Sequence, residues 1–247
     1  KIGKFTAAGF AVLILLVVAI LLSNGLRRSS RIVLPDAVLP VGDSSAPGGG
    51  EDGGVALIAV TPETVQSAIE SLRRPVAYRR SIAEERFWGG GSGTTQVLVS
   101  VSGGWTRTDS APKGRQIRHS LTDGTTSYIW YGSQARVYQC PAGDISADEE
   151  QGIPTYEDVL ALPMNQIEKA DYRFLSGVNC IYVETGEDEN GFVLRYWVSV
   201  DTGLLAAAER LKYGETIYRM GSPTMDAAGP VTQDFTLPDG TVLTDVE

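Results

Sequence analysis

The sequence has few of the residues that most catalytic and metal-binding chemistry uses. Its 247 residues include one histidine, His119, and two cysteines, Cys140 and Cys180. A closed zinc site takes four ligands, mostly Cys and His, so these three do not supply one, and neither a metal nor another cofactor is expected. His119 is the sole base for a Ser-His-Asp arrangement. It lies in Arg115-Gln116-Ile117-Arg118-His119-Ser120, which reads as a strand. No Gly-x-Ser-x-Gly elbow accompanies it, so a surface histidine is the expectation. Basic residues are also scarce beyond the N-terminus. Five of the 21 lie in residues 1–31, where no acidic residue occurs, so the other 16 face 30 acidic ones and residues 32–247 carry −14. That charge repels phosphate backbones, which excludes nucleic acid as a partner.

The acidic clusters carry no clear chemistry. Asp144-Ile145-Ser146-Ala147-Asp148-Glu149-Glu150 lacks the glycine and the spaced terminal glutamate of an EF-hand loop. Glu187-Asp188-Glu189-Asn190-Gly191 reads as a solvated hairpin tip with Asn-Gly as its turn. Gly89-Gly90-Gly91-Ser92-Gly93 has no Lys-Ser/Thr after it and reads as a flexible hairpin loop. A carboxylate-dependent hydrolase is the enzymatic alternative, but chance carboxylate pairs are expected among so many acids, and the expectation is that the chain is not an enzyme.

What is present begins with an uncharged run, residues 5–22, FTAAGFAVLILLVVAILL. At about 1.5 Å per residue, 18 residues span about 27 Å, the hydrocarbon thickness of a bilayer. A cleaved signal peptide is the competing reading, but its apolar region is shorter and Arg27, Arg28 and Arg31 follow at once. Residues 1–31 therefore read as a single-pass transmembrane anchor with its flanks. Lys1 and Lys4 favour an inside N-terminus and the three arginines oppose it. A large domain after an N-terminal anchor commonly crosses the membrane, and two cysteines suit an oxidising space. The C-terminal domain is thus expected outside the cytoplasm.

Residues 32–56, with Pro35, Pro40, Pro47 and Gly48-Gly49-Gly50, read as a flexible linker. The domain 57–247 opens with a helix: Thr61 as N-cap, Pro62 at the first position, a stripe of Val65, Ile69 and Leu72, and Pro75 as the stop. Eleven candidate strands follow, 76–87, 95–102, 105–109, 115–121, 126–131, 134–140, 171–175, 178–185, 191–200, 204–212 and 215–220, separated by short turns. A second helix, Tyr156-Glu157-Asp158-Val159-Leu160-Ala161-Leu162, is capped by Thr155. The fold class is mainly β (α+β), a curved antiparallel meander forming an incomplete β-barrel with a few covering helices. Phe192, Leu194, Tyr196 and Val198 alternate with Arg195, Trp197 and Ser199, so one face is apolar. Tyr128 and Trp130 share a strand face too. These six apolar residues are candidates to line a groove for an acyl chain or a partner's apolar segment; ordinary core is the other reading. Cys140 and Cys180 are expected to form a disulfide closing a loop of about 40 residues, worth about 4 kcal/mol in the chain-entropy model, with two free thiols as the other reading.

Several stretches have a familiar order: Asp171-Tyr172-Arg173-Phe174-Leu175 with Cys180-Ile181-Tyr182-Val183-Glu184, then Arg195 to Leu204 ending in Asp201-Thr202-Gly203-Leu204, then Tyr213-Gly214-Glu215-Thr216-Ile217-Tyr218-Arg219-Met220, then Asp234-Phe235-Thr236-Leu237-Pro238-Asp239-Gly240. Over residues 57–243 the chain resembles the LolA/LolB/RseB-like superfamily. The resemblance implies an incomplete barrel with a helical lid that binds acyl chains of lipoproteins, lipids or envelope proteins. A GerS-like Gram-positive branch implies instead an interaction or scaffold protein of a sporulation or envelope complex, with no lipid cavity. A transmembrane tether does not suit a soluble shuttle, so a stationary module at the cell membrane is the expected role.

Overall fold

The structure, a computed structural model, describes residues 59–142, 152–222 and 224–246. The expected anchor at 5–22, the linker 32–56 and the acidic stretch 144–150 lie outside the described residues. No described helix is long and apolar enough to cross a membrane.

The described chain is one open antiparallel sheet of eleven strands with two short helices. Helix α1 (Val65–Glu70) precedes β1 (Tyr78–Trp88), β2 (Gly91–Ser102), β3 (Trp105–Pro112), β4 (Arg118–Thr122), β5 (Thr126–Tyr131) and β6 (Tyr138–Pro141). Helix α2 (Tyr156–Ala161) leads to β7 (Ile167–Leu175), β8 (Val178–Thr185), β9 (Phe192–Ser199), β10 (Leu205–Lys212) and β11 (Glu215–Gly221). The order across the sheet is β6-β5-β4-β3-β2-β1-β11-β10-β9-β8-β7. Two meanders therefore meet where the first strand pairs with the last, from Ala83↔Gly221 to Arg86↔Tyr218. The expectation of one continuous meander fails only at the β6-to-β7 connection, where the chain passes from one sheet edge to the other.

Two local expectations change. The helix starts one turn after Pro62, with Thr64 at the N-cap. The Thr64 hydroxyl donates to the Ala59 carbonyl (2.6 Å) and accepts from the Thr61 amide (3.0 Å), while the Val65 amide bonds the Thr61 carbonyl (2.9 Å), so residues 61–64 form a hydrogen-bonded turn ahead of the helix. The helix ends at Glu70, before Pro75, because the Arg74 guanidinium binds the carbonyls of Ile69, Glu70 and Leu72. The glycine run at 89–93 is mostly strand: Trp88 pairs with Gly91 and Arg86 with Gly93, leaving Gly89-Gly90 as a two-residue turn.

Residues opposed across a ladder point to the same face. One face carries Ile82, Val97, Met220, Ala208, Tyr196, Val198 and Ile181, all buried. The helices cover this face with Val65, Ile69 and Val159, each fully buried, at about 1.5–3 kcal/mol per side chain. The opposite face carries Leu121 and Trp130, which pack with Phe235 and Leu237 of the C-terminal segment. Two cores thus flank one sheet.

The helix layer is pinned at the β9–β10 turn. Gly203 stands at φ +66°, and a Cβ there would lie 2.8 Å from Arg74 Cγ and 3.0 Å from the Arg73 carbonyl oxygen. Gly203→Ala adds a left-handed strain to that collision, so it is expected to lower stability by about 2 kcal/mol; the shift of the midpoint in a urea melt measures it.

Candidate functional site

The sheet and α2 line a half-open cavity of about 540 Å³, within the roughly 300–1,000 Å³ of ligand pockets. Its walls are of two kinds. Ile82, Val99, Val101, Leu204 and Leu205 are apolar, and Thr106, Thr108, Ser120 and Thr122 present hydroxyls. The mixture follows from strand pairing: Val99 stands opposite Thr108, and Thr108 opposite Ser120, so one row of the sheet passes from apolar to hydroxyl. Tyr156 and Glu157 of α2 close the cavity from above.

Arg80 is the one arginine in its lining and is 6% exposed. Its Nη1 donates to the Leu205 carbonyl at 2.8 Å. Burial pulls its pKa down, while Tyr78 and Glu157 pull it the other way. Asp158 is engaged locally, accepting from the Thr155 amide at 2.7 Å as part of the cap expected from sequence. Tyr196 lies near it; burial and then the Asp158 charge push the phenol up to about 12.

The lid is tied down from α1. Gln66 Nε2 reaches the carbonyls of Val159, Leu160 and Leu162 at 3.1, 3.0 and 2.8 Å, the unsatisfied end of α2. Arg74 stacks on Tyr156 at 3.6 Å from the ring centre.

The six residues expected to form one groove fall on two faces. Tyr196 and Val198 are helix-face core, at 7% and 0% exposure. Tyr128 and Trp130 lie on the opposite face against the C-terminal segment. Phe192 and Leu194 are half-buried beside a separate hollow with Thr185 to Asn190 and Arg210. None of the six lines the cavity under α2. Alternation within each strand was legible, but it does not say which faces of distant strands coincide.

The cysteines are free thiols, not the expected bridge. Cys140 lies on the edge strand β6 and Cys180 on β8, beside the other edge. Burial, then the Asp201 charge, raise the Cys180 thiol to about 11. His119 is also not a surface residue. Its Nδ1 lies 2.7 Å from Asp109 Oδ1 and its ring stacks on Trp130 at 5.0 Å. Arg107 joins the cluster, donating from Nε to Asp109 (2.8 Å) and from Nη1 to the Asp234 carbonyl (3.0 Å). This network fastens the C-terminal segment to the sheet.

Sequence reasoning also passed over Glu184, on the same outer face as Trp197. Lys169 Nζ (2.5 Å), Arg195 Nε (2.7 Å) and the Tyr182 hydroxyl all donate to it. Burial raises its carboxyl, but these three donors outweigh burial and hold it at about 2.

No family model matches the sequence, and no curated protein matches it. Solved structures do. MucB, solved in complex with MucA(peri), is 18% identical over 74% of this chain and 60% of its own, with a TM-score of 0.40. LprF from Mycobacterium bovis is 12% identical over 69% of this chain and 92% of its own, at 0.36. The lipoprotein LppX of Mycobacterium tuberculosis is 10% identical over 68% and 93%, also at 0.36. The chain spans about three fifths of MucB.

Two outcomes follow from these contacts. Gln66→Leu removes the tie on α2, so amide exchange over 156–162 is expected to speed up by about tenfold, read by hydrogen exchange. Glu184 has a depressed carboxyl, so its contribution is whole above the unfolded value of about 4.5 and is lost as pH falls toward 2. Stability of the parent chain should drop across that window, and Glu184→Gln should flatten the drop in denaturant melts at each pH.

Proposed function

We propose that the chain is a non-catalytic binding module, tethered by residues 5–22 to the cell membrane with its C-terminal domain outside the cytoplasm. It holds an amphiphile, a lipid or the acyl end of a lipoprotein, in the cavity beneath α2. One observation carries this reading: the cavity is about 540 Å³ and its lining joins an apolar wall to a row of hydroxyls. A lipid has the same division between chain and head. A purely scaffolding role calls for a filled interior and gives no reason for such a space. The tether rests on the uncharged run of 18 residues, and the outward orientation on the size of the domain behind it. The free cysteines lend that orientation no support.

The test is lipid extraction from the purified full chain followed by mass spectrometry. Val99, 8% exposed and lining the cavity, is replaced by tryptophan to fill it. A defined lipid should leave with the parent chain in near-equal amount and fall several-fold with Val99→Trp. Equal recovery from both, with Val99→Trp folded by circular dichroism, means the lipid is not held there.

A further inference from the structure

Three connections at one end of the sheet differ in composition from the rest of the domain. Strands β1 to β6 are neighbours in order and antiparallel, so the β1–β2, β3–β4 and β5–β6 connections lie side by side at that end. Residues 88–93, 112–117 and 131–138 hold Lys113, Arg115 and Arg136 and no acidic residue, although residues 32–247 carry −14. All three cations are exposed, and none is in an ion pair among the described residues. Exposed apolar side chains stand among them: Trp88 at 60%, Tyr138 at 47%, Ile117 at 42% and Tyr131 at 38%. The Trp88 ring rests on a glycine bed, where a Cβ on Gly93 would lie 3.0 Å from its Cη2. From the Thr95↔Pro112 pair that ends β3, the β1–β2 ladder continues four residues to Trp88↔Gly91, so this tip stands about 13 Å beyond β3. The β8–β9 connection reaches the same end and carries Glu187, Asp188 and Glu189. The cationic surface therefore belongs to the β1–β6 half alone.

We propose that this end of the β1–β6 half docks on a bilayer containing anionic lipid, with Trp88 in the headgroup layer and Lys113, Arg115 and Arg136 against lipid phosphates. Trp and Tyr favour the membrane–water interface, where an apolar body and a polar tip are both satisfied. The net charge of the chain opposes approach, but at physiological ionic strength fields fade over about 8 Å. At contact the facing loops decide, and each cation near an anionic surface raises occupancy about fivefold. A surface of three cations is weak alone, and the tether keeps it at high local concentration. An acidic protein segment would also match the cations but gives no reason for an exposed tryptophan on a projecting tip. The proposal rests on the tether and is independent of what the cavity holds.

The experiment is tryptophan quenching of the full chain in nanodiscs whose phosphatidylcholine carries brominated acyl chains, with or without about one third phosphatidylglycerol. The chain has four tryptophans, none of them in residues 5–22, and Trp88 is the most exposed. Quenching in the parent chain should be about threefold greater with phosphatidylglycerol, and Trp88→Phe should remove that excess. Joint replacement of Lys113, Arg115 and Arg136 by glutamine should return the parent signal to the phosphatidylcholine level. Sodium chloride at about 1 M, where fields fade over about 3 Å, should do the same without any substitution. Equal quenching in the two compositions leaves the surface for an acidic protein segment and overturns the proposal, while the tether stands. An excess that survives both the joint replacement and high salt also overturns it. A chain that elutes apart from the nanodiscs overturns the tether, and the docking with it.

Discussion

The pairing of β1 with β11 is the constraint on which the other features of this domain depend. Four opposed pairs, Ala83↔Gly221 to Arg86↔Tyr218, join two meanders that are otherwise separate in the chain. Without that ladder there are two smaller sheets, each with an additional exposed edge. With it, the side-chain rows run through all the strands, and each face becomes a broad surface that must be covered. The two helices cover one face and the C-terminal segment covers the other.

The coverings differ in completeness, and the difference locates the site. The C-terminal segment is fastened by a dense polar network, in which Asp234 accepts from Ser100 and its carbonyl from Arg107, with Phe235 inserted at 0% exposure. The helix layer is thin, two helices of six residues each. It buries the β8–β11 half of its face well but leaves space over β1–β4. A helix too short to hold itself depends on tertiary contacts. Gln66 of α1 and Arg74 just beyond it supply these, so the roof of the cavity is only as firm as those few hydrogen bonds and one stacked ring.

The polar clusters divide by role in the same way. Glu184 with Lys169 and Arg195, extended through Glu209 to Arg219, and Asp109 with His119 and Arg107 are polar clusters whose members bond one another. Such sets orient and fasten structure. Arg80, in the cavity lining, instead bonds the Leu205 carbonyl through Nη1, with its Nε buried.

Much of the local structure was legible in the sequence. Turn residues and β-branched alternation marked all eleven strands, and the Thr155 cap marked α2, because turn chemistry and side-chain period act over a few residues. The Gly89–Gly93 run and Pro62 misled for the same local reason: glycine and proline state what the backbone tolerates, and pairing to a neighbouring strand or a Thr64 side-chain turn decides what it adopts. Tyr128, Trp130, Tyr196 and Val198 each read correctly as facing an apolar layer, yet they belong to two layers. The sequence by itself determined which residues alternate within a strand, the charge of the chain and the run able to span a bilayer. Only the tertiary structure decided that β1 meets β11, that the cysteines lie in different meanders and that Arg80 reaches the Leu205 carbonyl, because such partners are far apart in the chain, β1 and β11 by more than a hundred residues, and no short-range period records them.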